Sequence, residues 1–142
     1  RQRQMCRRDS FKANERSIIS NNGHYIKSKT EDFLSIDNGI FGNKGNVSFK
    51  LCKPITLDKD INFDFIAEII DKEIISGYKL HSTNFAAASL LSIEFDKKQL
   101  GEQELKKAVN EMSNKVSKLS DGVKKNLLIQ YANPIIQKQN LV

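Results

Sequence analysis

Apolar residues in this chain recur mostly at helical spacing. Phe65, Ile66, Ile69, Ile70 and Ile74, with Tyr78 beyond, return every three or four residues, which predicts a helix over 63–78 with one apolar face. Gly77 weakens its last turn. From Glu102 to Leu119, the residues Leu105, Val109, Met112, Val116 and Leu119 alternate spacings of four and three. Such a heptad seam suits a core groove or a partner helix, and two heptads fall short of the roughly three or four that a standing coiled coil wants. Asn84 to Ile93 is rich in Ala and Leu, with Ser82 or Thr83 available as a cap. The last segment, Val123 to Val142, reads as helical up to a break near Asn133-Pro134. Two shorter helices are expected earlier: 9–20, capped by Asp9 and stopped by Asn21-Asn22-Gly23, and 30–37, with Thr30 as N-cap and acids in its first turn.

One stretch changes period. In Asn46 to Cys52, Val47, Phe49 and Leu51 alternate with Ser48 and Lys50, which predicts a strand. Pro54 ends it, because proline has no N–H for a sheet ladder. Gly39, Gly42 and Gly45 before it read as a tight loop, and Asp58 to Asn62 as a polar linker. The expected fold is mixed α/β and mainly helical, its one strand lying at a sheet with helices packed over it. Phe49, Leu51, Phe65, Ile66, Ile69, Ile70, Phe85, Leu90 and Leu91 are expected to be buried together.

With 142 residues the chain is sized for one domain, and its 39% apolar and 28% charged residues are those of a folded protein. No apolar run approaches the roughly 20 residues of a membrane-spanning helix, and no apolar segment follows the basic N-terminus to make a signal peptide. An initial Arg in place of Met suggests a piece of something longer. The first thirty residues hold the whole net charge of +6, and all Arg residues lie within the first sixteen: Arg1, Arg3, Arg7, Arg8 and Arg16. A basic arm beside a neutral body suits an anionic lipid surface or nucleic acid, or is a solvated end. Only Phe11 and Tyr25 stand near it, which supports a nucleic-acid stacking platform poorly.

The residues offer little chemistry. Cys6 and Cys52 have no CxxC partner, so neither a zinc site nor a disulfide framework is expected, and no metal or other cofactor is implied. Cys52, set among Val47, Phe49 and Leu51, reads as a small buried hydrophobe in a reducing compartment. His24 and His81 lack a supporting acid, and there is no nucleophile elbow. The loop GIFGNKG departs from the phosphate-loop spacing and precedes a strand, leaving Lys44 as a weak anion contact.

Several blocks nevertheless carry a resemblance. Asp9, Lys12-Ala13 and Glu15; Tyr25 and Lys27; Glu31-Asp32; Gly39-Ile40, Gly42, Lys44-Gly45 and Val47; and Pro54-Ile55 stand in the order D-x-x-K-A-x-E, Y-x-K, E-D, G-I-x-G-x-K-G-x-V and Pro-Ile. Ile70-Asp71, Ile74, Tyr78, Leu80, Asn84, Ala87 and Leu90-Leu91 continue the series. Over residues 9–95 the chain resembles the region beyond the active site of bacterial glycerolipid acyltransferases, closest to 1-acylglycerol-3-phosphate acyltransferase-like proteins. The tail from Lys97 resembles the helical C-terminus of glycerol-3-phosphate acyltransferases.

The resemblance implies the C-terminal portion of an acyltransferase-type α/β fold, with one clear strand and a helical tail. Residues 1–60 would end the α/β core, with basic arm, glycine loop and strand, and residues 61–142 would form a helical C-terminal segment. The implied activity moves an acyl chain from an acyl-thioester, on coenzyme A or acyl carrier protein, to a lysophosphatidic acid or glycerol-phosphate hydroxyl in phospholipid synthesis. The implied place is peripheral, on the cytoplasmic face of the bacterial inner membrane. Family members use a His and an Asp in HxxxxD, and neither histidine here fits that spacing. The block that receives glycerol phosphate is also missing, so no catalytic residue transfers and the chain alone is expected to be inactive. The candidate anion- or lipid-contacting residues are Arg7, Arg8, Arg16 and Lys44. The alternative is a small basic helical module that binds nucleic acid or a protein partner.

Overall fold

The computed structural model describes residues 9–41, 48–55 and 62–141. Six α-helices account for most of them: α1 (Asp9–Asn22), α2 (Glu31–Phe41), α3 (Phe63–Ser76), α4 (Ser82–Leu90), α5 (Glu102–Val116) and α6 (Asp121–Gln139). Helix α6 is the axis of the packing. It meets α1 and α4 along its length and α3 near its C-terminal end, while α5 covers α4.

Helix α4 can sit between α5 and α6 because its side chains are small. Asn84, Phe85, Ala86, Ala87 and Ala88 are five consecutive buried residues, which means that α4 is enclosed all round. Alanines let two helices approach from different sides, and Met112 and Val116 of α5 and Leu127, Leu128, Ala132 and Ile135 of α6 fill the space. Phe85 meets Phe95 with ring centroids 5.4 Å apart at 58°. The buried Asn84 is doubly bound: its Oδ1 accepts from the His81 backbone N–H at 2.7 Å, and its Nδ2 donates to the Tyr131 carbonyl at 2.8 Å. That second bond falls near Pro134, where α6 lacks an N–H of its own. Helix α4 ends in a Schellman cap, the Ile93 N–H bonding the Ala88 carbonyl and the Ser92 N–H the Ser89 carbonyl, with Ser92 at φ 57°.

Helix α1 is held on α6 by a close approach. Ala13 and Ser17 are buried there, the Asn126 side chain donates to the Ala13 carbonyl at 3.4 Å, and a Cβ on Gly122 would come within 2.5 Å of Ser17 Oγ. Gly23, at φ 78°, then reverses the chain as expected.

The helices lie largely where the periodicity places them, and the fold is mainly helical. Several finer expectations fail. Ser48 to Cys52 forms no regular element and pairs with no strand among the described residues; Asn46 and Val47 lie outside them. Phe49 and Leu51 are 88% and 85% exposed, so they belong to no core here. Phe65 and Ile70 are exposed, and Ile66 and Ile69 are half-buried. Of the expected core, Phe85 is buried and Leu90 and Leu91 pack at its edge. Cys52 is exposed, because the segment that carries it has no sheet to join. Helix α2 runs on to Phe41, through Gly39 and Ile40 of the expected loop; Gly42, Lys44 and Gly45 lie outside the described residues. Pro134 does not break α6, which continues to Gln139: the buried Pro134 and Ile135 hold the helix against its neighbours at the cost of one backbone bond. The α5 seam is used within the chain, since Met112 and Val116 are buried in the core and α5 packs on α4.

Candidate functional site

The chemistry-bearing residues do not converge. Helix α1 carries Arg16 on its exposed side, and Arg7, Arg8 and Lys44 lie outside the described residues. His24 is exposed just past α1, and His81 is half-buried at the α4 entrance, where its backbone is bound by Asn84. No group of three His, Cys, Asp or Glu able to hold a metal ion occurs among the described residues. Nor does any described helix have the length and apolarity to cross a membrane.

Local polar contacts organise the α1–α2 connection. The Tyr25 hydroxyl donates to Glu31, and this bond, with burial and the Glu31 charge, pushes the phenol up to about 12. Lys27 donates to Asp32 at 3.0 Å, which raises the lysine above its ordinary value. Both contacts fasten the 23–30 turn to the start of α2. They leave the outer surface of α2 apolar, with Phe33, Ile36, Ile40 and Phe41 all exposed.

A concavity of about 430 Å³, open to solvent, lies between α3 and the end of α6. Asp64, Glu68 and Asp71 line one wall, at helical spacings of four and three, and Gln137 and Asn140 the other. Lys72 sits 2.9 Å from Glu68 and holds that carboxyl below its ordinary value, so Glu68 is a poor proton acceptor. Tyr78 is shifted upward by burial and then by Asp71. No nucleophile and base stand together in this groove, and its exposure gives a reacting group no shelter from water.

What the structure adds is the orientation of α3. The helix turns its acidic side to α6 and its apolar stripe away, with Phe63, Ile70 and Ile74 exposed and Ile66 half-buried. Sequence periodicity made both sides visible; it carried no sign of which one faces inward. Beside the C-terminal end of α3, Lys50 reaches across from the 48–55 segment, its Nζ 3.5 Å from Ser76 Oγ and 3.7 Å from Glu73. No protein-family model, curated protein or solved structure matches the chain.

Proposed function

We propose that this chain is the non-catalytic, C-terminal portion of a glycerolipid acyltransferase of the 1-acylglycerol-3-phosphate type. The observation that carries the reading is the order and spacing of the sequence blocks over residues 9–95. The bare apolar side chains of α2, of 48–55 and of α3 are what such a portion would expose when taken apart from a catalytic core. In this reading the alternating segment 46–52 joins the sheet of that core, which makes the complete fold α/β. The acyl-thioester donor and lysophospholipid or glycerol-phosphate acceptor bind to the core, and Arg7, Arg8, Arg16 and Lys44 face anionic headgroups. A peripheral position on the cytoplasmic face of the inner membrane follows.

An acyl-transfer assay tests it. The complete gene product containing this sequence should acylate lysophosphatidic acid or glycerol phosphate from a labelled acyl-thioester. The 142-residue chain should stay at background, because base assistance is worth about 10²–10⁴ in rate and neither histidine has a supporting acid. Vesicles rich in anionic lipid should bind the chain, neutral ones should not, and Arg7→Glu with Arg8→Glu should weaken the binding. A complete product without transfer activity would overturn the proposal. The exposed apolar surface of α2 and α3 also favours a second reading, a module that docks on a protein partner without any link to acyl transfer.

A further inference from the structure

Helix α3 is seated on the bundle with its polar side inward, an arrangement that amphipathicity alone does not produce. Asp64, Glu68, Asp71 and Ile75 look into the groove against α6. About a quarter turn round the helix, Phe63, Ile66, Ile70 and Ile74 form a stripe at spacings of three, four and four. No residue of α3 is buried, and Phe63 is 85% exposed. The stripe covers three turns, about 16 Å. Its width is that of one helix seam, not of a broad sheet face.

Charge decides what can cover it. Asp64 and Asp71 border the stripe on one side and Glu73 on the other, and the sole cation of α3, Lys72, is paired with Glu68. A second copy of α3 would bring these carboxylates against their equivalents, and anionic lipid or nucleic acid would meet the same repulsion. A cationic occupant is attracted on both flanks. The chain itself shows the arrangement at the end of the stripe, where Lys50, from a segment with exposed Phe49 and Leu51, lies beside Glu73 and Ser76.

We propose that the Phe63–Ile66–Ile70–Ile74 face of α3 is a docking site for a basic amphipathic helix of a protein partner. The partner lays its apolar seam on the stripe and sets Lys or Arg against Asp64, Asp71 and Glu73, as charged flanks select partners in paired helices. The inference goes beyond acyl transfer and holds whether or not the chain belongs to an acyltransferase.

The test measures fluorescence anisotropy of a labelled 14-residue amphipathic peptide made of Leu and Lys, titrated with the full chain at physiological salt. The Leu/Lys peptide should bind with a Kd on the order of 10 μM, and its Leu/Glu counterpart at least about tenfold more weakly. Ile70→Asp with Ile74→Asp should weaken binding at least about tenfold while the circular dichroism and Tm stay unchanged, since both side chains are exposed. Phe33→Asp with Ile36→Asp, an equal charge change on exposed sites of α2, should leave binding intact. Equal binding of the two peptides, an equal loss with the α2 double variant, or no binding at all would overturn the proposal. So would a dimer in sedimentation that the double variant dissolves, because the occupant would then be a second copy.

Discussion

Residues 82–141 and residues 31–76 spend similar apolar material in opposite ways. In the first region Ala86, Ala87, Ala88, Leu127 and Ile135 are enclosed, and even the polar Asn84 is buried with both ends of its amide bonded. In the second, Phe33, Ile36, Ile40, Phe41, Phe49, Phe63 and Phe65 are larger and all exposed. Hydrophobicity therefore does not separate the regions; the presence of a matching surface does. A helix of alanines lets two neighbours come close, and α5 and α6 each present a stripe to fill the gap. Among the described residues no helix covers the bulky stripes of α2 and α3, and α3 meets α6 through its acidic side.

The contrast breaks if substitutions in the two regions cost the same. Leu127 is fully enclosed, and Leu127→Ala should lower the free energy of unfolding by about 2–5 kcal/mol in a urea titration. Phe63→Ala removes a larger side chain from an exposed site of the α3 stripe and should change it by no more than about 0.5 kcal/mol. Comparable losses would mean that the stripe of α3 is covered in solution.

A smaller effect sharpens the boundary between the regions at α1. Gly122→Ala sets a methyl group 2.5 Å from Ser17 Oγ, so the Ser17 side chain or α1 must shift, at a cost of about 1–3 kcal/mol. Adding Ser17→Ala should recover most of it, since Ser17 Cβ stands at an ordinary 3.7 Å. A double variant no more stable than Gly122→Ala would exclude this contact as the cause.

Ser92→Gly works within the packed region in the stabilising direction. Ser92 holds φ 57°, which glycine adopts freely, so the exchange should add up to about 1 kcal/mol to stability, read as a higher Tm. A lower Tm would show that the serine side chain matters more than the strained backbone.

The least effect belongs to the α1–α2 turn. The Tyr25 phenol is raised to about 12 by its bond to Glu31. A raised acid favours the folded state fully below the ordinary tyrosine value near 10, and that contribution disappears as pH climbs through 12. Ultraviolet titration should show one tyrosine ionising near 12 and, with Glu31→Ala, returning toward 10. An unchanged late tyrosine would place its cause elsewhere.

Much of the helical layout was legible because each helix repeats a local pattern. The 4-3-4-3 spacing from Leu105 to Leu119 located α5, and the Asn21-Asn22-Gly23 stop located the end of α1. Pro134 misled because proline's local penalty is outweighed where packing on both sides holds the helix. Phe49 and Leu51 misled because alternation describes a strand's faces without supplying the neighbouring strand. Arg7, Arg8 and Arg16 were selected by charge density and Lys44 by its glycine loop, and of the four only Arg16 lies among the described residues, exposed on α1. The acidic wall of the α3 groove was legible as the spacing of Asp64, Glu68 and Asp71, and its inward orientation was not.

By itself the sequence determined the positions and amphipathicity of the helices, the small-residue character of α4 and the concentration of positive charge before residue 31, since these depend on residues near one another in the chain. Tertiary structure decided which faces are covered. Burial is a property of two surfaces, and the bulky side of α3 stays bare because the bundle offers it no complementary one, while the modest alanines of α4 lie at the centre because α5 and α6 fit against them.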